Sequence, residues 1–303
     1  MSGDPDADRR GATESEERLN ARGSLHRVER PAQATSYSIQ SDRIAPPSLP
    51  GEVVAARDLD ELLDTLAADV VVQAANCVRK FGDCHLALSG DPLLEPLYER
   101  LMYDPNCRSL PWRRTHLWVV DEAAVGFDDP RSAFRRIRET IVDHSDIPPE
   151  QVHPIFPLGE DPAAHYESQL REVLAWRERG QDRLDVALLA AGGDGTIAGL
   201  SPCSSALLEA ARLVALTASG EQRAPDSRGA APPPRVTMTL PLLNATRFIG
   251  VIATGADRAE VVRRLVEGHD PFDRLPARGL HPTGGALRWY LDADAAGVTA
   301  EAR

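Results

Sequence analysis

Short apolar runs alternate along this chain with longer segments in which apolar residues recur at helical spacing. Val186 to Ala191 is the purest run, entered through Leu184-Asp185 and left through Gly192-Gly193-Asp194-Gly195. An apolar run of that length between turn residues predicts a strand buried on both faces, inside a parallel sheet. Further strands are predicted at Gly51–Ala56, His85–Leu88, Thr115–Val120, Val152–Ile155, Arg212–Thr217, Arg235–Leu240 and Phe248–Ala253. Between the first two, Leu59, Leu62, Leu63, Leu66, Val70 and Val78 mark one helix face. Asp58 and Glu61 stand in capping-box spacing at its start, and Gly82 is its expected stop. Helices are also predicted around Leu97–Met102, over Arg131–His144, Asp161–Arg179, Ala256–Glu267 and Gly284–Ala295, and directly after Gly195.

This alternation places the chain in the α/β class: a mainly parallel sheet with crossover helices on both faces, a Rossmann-like three-layer arrangement. Residues 1–50 are rich in Asp, Glu, Arg, Ser, Pro and Gly and poor in large apolar residues. Such a segment buries too little surface to offset its ordering entropy, so a disordered tail is expected there. Residues 51–303 then form one α/β domain.

Composition narrows the function. The net charge of −12 speaks against a nucleic-acid partner, which needs a basic surface to neutralise phosphates. No apolar run reaches the roughly 18 residues of a membrane span, and the N-terminus lacks an apolar signal core. No membrane partner and a cytoplasmic location are therefore expected. Cys77, Cys84, Cys107 and Cys203 show no C-x-x-C spacing, so neither a metal nor a disulfide framework is implied. Lys80 is the only lysine, and it lies in a polar helix end, the usual place for a solvated residue, which leaves Schiff-base chemistry almost without a candidate.

Candidate chemistry gathers where strands end. Gly192, Gly193 and Gly195 permit a sharp turn and close approach to a ligand, and a following helix would aim its free N–H groups at an anion. Ser89-Gly90-Asp91-Pro92 repeats the strand–glycine–helix junction, and Asp121-Glu122 puts two carboxylates at the end of another strand.

In order, these segments resemble the 6-phosphogluconolactonases, relatives of the glucosamine-6-phosphate deaminases. ALSGDPLLEPLYERL (Ala87–Leu101) is similar to the family's ALSGGSTPKPLYELL, and HLWVVDEAAV (His116–Val125) to its F-W-V-D-E-R-x-V. IPPEQVHPI (Ile147–Ile155) is close to the family consensus, and AAGGDGTIAGLSP (Ala190–Pro202) resembles G-x-G-x-D-G-H-T-A-S-L-F-P. The segment from Pro232 to Gly268 resembles the R-V-T-L-T and T-G-x-x-K-A regions, and Leu280–Ala296 the closing P-x-x-G-x-L-x-W-x-x-D.

The resemblance implies hydrolysis of 6-phospho-D-glucono-1,5-lactone in the pentose phosphate pathway, without metal or organic cofactor. It further implies a phosphorylated sugar lactone or acid as ligand, with another enzyme of the pathway as a possible partner. Ser89, Gly90, Gly193, Gly195, Arg235 and Arg258 fall at substrate- and phosphate-binding positions, Arg258 replacing a lysine. Asp121, Glu122, Asp194 and Thr196 fall at catalytic ones.

Thr196, however, stands where the family has its base histidine, and a hydroxyl has no useful basicity at neutral pH. Ala123 replaces the arginine of D-E-R, Ala133 the asparagine of the family's D-x-x-S-N-Y, which DDPRSAFRRIRETIVDH (Asp128–His144) resembles, and Asp91 brings negative charge into the segment matching its S-G-G-S-T phosphate loop. The expectation is a lactonase-type protein of weak activity. The alternative is a non-catalytic sugar-phosphate-binding or regulatory paralogue. G-G-D-G-T also occurs in NAD and diacylglycerol kinases, but their further motifs are absent here, and one His-to-Thr change in G-D-G-H yields the same letters.

Overall fold

The computed structural model describes residues 44–218 and 232–297. Strand β1 (Glu52–Ala56) leads into helix α1 (Leu59–Phe81). The Asp58 carboxylate accepts the Asp60 N–H at 2.9 Å, and Gly82 ends the helix at φ 92°, a conformation that favours glycine. Strand β2 (Cys84–Leu88), helix α2 (Glu95–Tyr103), strand β3 (Thr115–Val119), the short strand β4 (Asp121–Ala123) and helix α3 (Ala133–Thr140) follow. Next come β5 (Val152–His153), α4 (Pro162–Leu174), β6 (Val186–Ala190) and β7 (Val214–Leu216). The described part closes with β8 (Arg235–Met238), α5 (Leu240–Ala245), β9 (Phe248–Ala253), α6 (Ala259–Glu267) and β10 (Ala286–Asp292).

Seven strands form one sheet in the order β1-β10-β9-β6-β2-β3-β5, and every pairing in it is parallel. All residues of β2, β6 and β9 are buried, as the unbroken apolar runs require of central strands. A second, antiparallel sheet of β4, β8 and β7 stands where the chain leaves β3. The fold is thus the three-layer α/β arrangement expected from the sequence.

Two of the predicted helices do not form. Gly284–Ala295 is not a helix: Ala286–Asp292 is the strand β10, hydrogen-bonded between β1 and β9. A slot between two parallel strands, filled by the buried Trp289, Tyr290 and Leu291, overrides the weak helical spacing. No helix follows Gly195 either. Gly195 (φ 88°), Ala198 (φ 52°) and Gly199 (φ 69°) are left-handed, and Ile197 and Leu200 close a tight turn through reciprocal backbone bonds of 3.2 and 2.8 Å.

Most of the segment read as a tail lies outside the described residues. From Ile44 on the chain packs: Ile44 and Leu49 are buried, and the Pro50 carbonyl accepts the Trp289 indole N–H at 2.9 Å. Cys77, Cys84 and Cys107 are buried free thiols, and Cys203 is an exposed one. No described helix is long and apolar enough to cross a membrane.

Candidate functional site

Parallel sheets present their ligand sites at the C-terminal ends of the strands. Here β9, β6, β2 and β3 are neighbours, so their exits bring four segments to one edge: Gly255–Arg258, Gly192–Thr196, Ser89–Asp91 and Asp121. The segments touch. A Cβ on Gly193 would stand 2.9 Å from the Asp257 carbonyl oxygen, and one on Gly199 would stand 2.7 Å from Asp121 Oδ2. A Cβ on Gly90 would lie 2.4 Å from Ala133 Cα, so the β2 exit is seated on the start of α3. Every sequence-predicted site residue except Glu122 therefore lies in or against this edge.

Glu122 is buried, and its alternation with Asp121 along β4 turns it toward α3 instead. Its carboxylate accepts the N–H groups of Ala123 (2.9 Å), Ala133 (2.8 Å) and Phe134 (2.8 Å) and the Ser132 hydroxyl (3.0 Å). It is the N-terminal anchor of a helix whose own first-turn donors would otherwise be buried unpaired. Burial raises its pKa against the pull of those bonds, yet no lone pair is left facing the edge. At the catalytic position expected of Glu122 the structure thus places a carboxylate that anchors α3.

The other carboxylates are engaged as well. Asp121 receives the Arg235 Nε–H at 2.7 Å, with Nη2 at 2.5 Å. Asp194 Oδ1 accepts the Thr196 N–H at 3.0 Å, a local turn that fixes the Gly192–Thr196 loop. The loop's own carbonyls take further donors: Gly192 N–H bonds Thr196 O and Gly195 N–H bonds Gly192 O, both at 2.9 Å. Asp91 turns its carboxylate onto the Leu93 N–H at 2.9 Å, capping the turn that precedes α2. Ser89 is buried, its carbonyl accepting the Tyr98 hydroxyl, and the Gly90 carbonyl accepts Arg136 Nη1. Arg258 Nη1 pairs with Asp257.

Two side-chain atoms at this edge stand out because sequence reasoning had no means to find them. Thr196 Oγ1 and Arg258 Nε are both buried without a hydrogen-bond partner. A buried polar atom left unpaired costs about 1–3 kcal/mol, a cost that a bound polar ligand removes.

Three histidines gather away from this edge. His85, His116 and His153 lie on β2, β3 and β5 and form a stack with Trp118, the His116 and His153 rings 5.3 Å and the Trp118 and His153 rings 3.8 Å apart. Asp83, His85 and His116 bring donor atoms within 4.8 Å of one another, a spacing that a metal ion could span. The hydrogen bonds fit neutral imidazole better. Trp118 Nε1–H donates to His85 Nδ1 at 3.1 Å, so the His85 proton sits on Nε2, facing Asp83 at 3.7 Å. His116 Nδ1 and His153 Nε2 share one proton at 3.0 Å.

Burial holds His116 at a pKa of about 4 and His153 at about 3, below the ordinary histidine value. The unfolded chain therefore takes up protons first as the pH falls. Stability from this stack is full above about pH 6.5 and declines below it, until the folded rings titrate. The urea midpoint is expected to drop between pH 7 and pH 5. His153→Gln, which cannot titrate, should flatten that drop; an equal drop in the variant would place the titrating groups elsewhere.

Comparison with known proteins agrees with the geometry. Residues 57–289 match the family model described as glucosamine-6-phosphate isomerases/6-phosphogluconolactonase. The 6-phosphogluconolactonase of Rattus norvegicus is 34% identical over 251 residues, covering 82% of this chain and 93% of the relative. The GDH/6PGL endoplasmic bifunctional protein of Homo sapiens is 33% identical over 245 residues, covering 78% of this chain. This chain spans only 29% of that larger protein's length. The crystal structure of 6-phosphogluconolactonase from Thermotoga maritima superposes with a TM-score of 0.66 at 21% identity, over 80% of this chain and 99% of the other, a likeness of fold. The chain belongs to the glucosamine-6-phosphate isomerase/6-phosphogluconolactonase family.

Proposed function

We propose that this chain binds a sugar lactone of the gluconolactone type at the C-terminal edge of its sheet and hydrolyses it only weakly. The carrying observation is the state of residue 196. Where the relatives' pattern has an imidazole, this chain places a hydroxyl whose oxygen is buried and unpartnered at the edge. A hydroxyl can hold a ligand oxygen but cannot take a proton from water at neutral pH.

The carboxylates are already engaged within the chain. Asp121 is paired with Arg235, Glu122 anchors α3, and Asp194 holds the Thr196 amide. Ala123 is fully buried on β4, so no cation extends from that position to meet a developing oxyanion. Ester hydrolysis would proceed by attack of water on the lactone carbonyl, with the ring oxygen as leaving group. This edge positions the carbonyl but leaves the proton transfer largely to solvent.

Binding is tested by thermal shift with freshly dissolved glucono-1,5-lactone, its 6-phosphate and the corresponding aldonic acids. At least one of them is expected to raise Tm. The absence of any shift, with the protein folded, would remove the binding reading.

A further inference from the structure

The edge carries two kinds of evidence about what it recognises: what is left unpaired and what is already neutralised. Thr196 Oγ1 and Arg258 Nε are buried and without a partner. They lie on loops in direct contact through Gly193 and the Asp257 carbonyl. A threonine hydroxyl both gives and takes a hydrogen bond, and a guanidinium Nε–H gives one in a fixed plane. Each of them suits a hydroxyl, ring or carbonyl oxygen of a sugar.

Two of the positive charges are answered from within the chain. Arg258 Nη1 lies on the Asp257 carboxylate, and Arg235 donates to Asp121 through Nε at 2.7 Å. Asp91 adds a third carboxylate in the turn after β2, where its oxygen occupies the Leu93 N–H. A phosphate entering between Arg258 and Arg235 meets two arginines whose charge is compensated, and must displace a carboxylate from a charge-assisted pair to gain a comparable one. A neutral oxygen incurs no such exchange.

From this we infer that the edge takes an unphosphorylated sugar lactone or polyol, recognised by Thr196 and Arg258 through hydrogen bonds rather than by phosphate capture. The inference rests on the lactone-binding reading above and specifies its ligand class.

Isothermal titration of the whole chain with glucono-1,5-lactone, its 6-phosphate and inorganic phosphate tests it. The two lactones are expected to bind within about threefold of each other, and inorganic phosphate alone is expected not to compete. Thr196→Val, which keeps the shape and removes the hydroxyl, should weaken both lactones by about fivefold or more. Asp257→Asn, which frees the Arg258 charge, should shift the ratio toward the phosphorylated lactone by about tenfold.

A wild-type preference of about tenfold or more for the phosphorylated lactone would overturn the inference and leave the binding reading intact. So would an unchanged ratio in Asp257→Asn. Binding of neither lactone to the folded wild type would overturn the binding reading, and this inference with it.

Discussion

Thr196→His is expected to raise lactone hydrolysis by about 100-fold over the wild type, with a rate that climbs as the new imidazole loses its proton near pH 6.5. The side chain of residue 196 starts at the exit of the central strand β6, in a loop pinned by Asp194 and by the Gly192 and Gly195 backbone bonds. An imidazole there would be held on the same loop that places the threonine hydroxyl. General bases contribute about 10²–10⁴ in rate, and the lower end applies because no nearby carboxylate is free to orient the ring. Restoring the arginine at position 123 alongside it is not part of this expectation. Ala123 has no exposed surface, and an arginine built there must push apart β4, β8 and their neighbours. Initial rates from pH 5 to 8 check the prediction, and a variant with a native Tm and no gain would show that the pocket lacks more than a base.

Asp185→Ala is expected to be the most damaging single change to stability. Asp185 is buried just before β6 and accepts the His85 N–H at 2.7 Å, Arg177 Nη1 and Nη2 at 2.9 and 2.7 Å, and Arg247 Nε at 3.0 Å. The arginines also cover the Phe81 ring, with Arg177 at 4.8 Å and Arg247 at 4.4 Å. Removing the carboxylate leaves the nearly buried Arg177 with Asp83 as its remaining acid, and strands a backbone donor of β2. Breaking a buried pair in this way costs about 3–5 kcal/mol. For a domain of this size that lowers Tm by about 10 °C. A shift under about 3 °C in a calorimetric scan would mean that water replaces the carboxylate at little cost.

The parts of the fold that the sequence made legible are those where local pattern and global position agree. The continuous apolar run of β6 could only be a central strand, and Asp58 and Gly82 mark the two ends of α1 by their own chemistry. β10 was not legible, because Leu287, Trp289, Tyr290 and Leu291 fit either period until the neighbouring strands are known. The Gly192–Gly195 turn was legible as a place of close approach, but not as the start of a left-handed loop without a helix.

At the site, the segments that converge could be named from the sequence, while the state of their side chains could not. Nothing in the letters Asp121-Glu122 distinguishes a carboxylate facing the edge from one anchoring α3; only the alternation along β4 and the position of Ser132 to Phe134 separate them. The unpartnered Thr196 Oγ1 and Arg258 Nε depend on distances between loops far apart in sequence.

The central claim is that this chain keeps the lactonase scaffold without its base. The initial rate of proton release from glucono-1,5-lactone and its 6-phosphate, with and without the wild-type protein at pH 7, tests it most directly. The account predicts acceleration of no more than about threefold over spontaneous hydrolysis for either lactone, since the hydroxyl at residue 196 cannot act as a general base at pH 7. Acceleration of either by about 100-fold or more would contradict it, and would make Asp194 the first candidate for a substitute base.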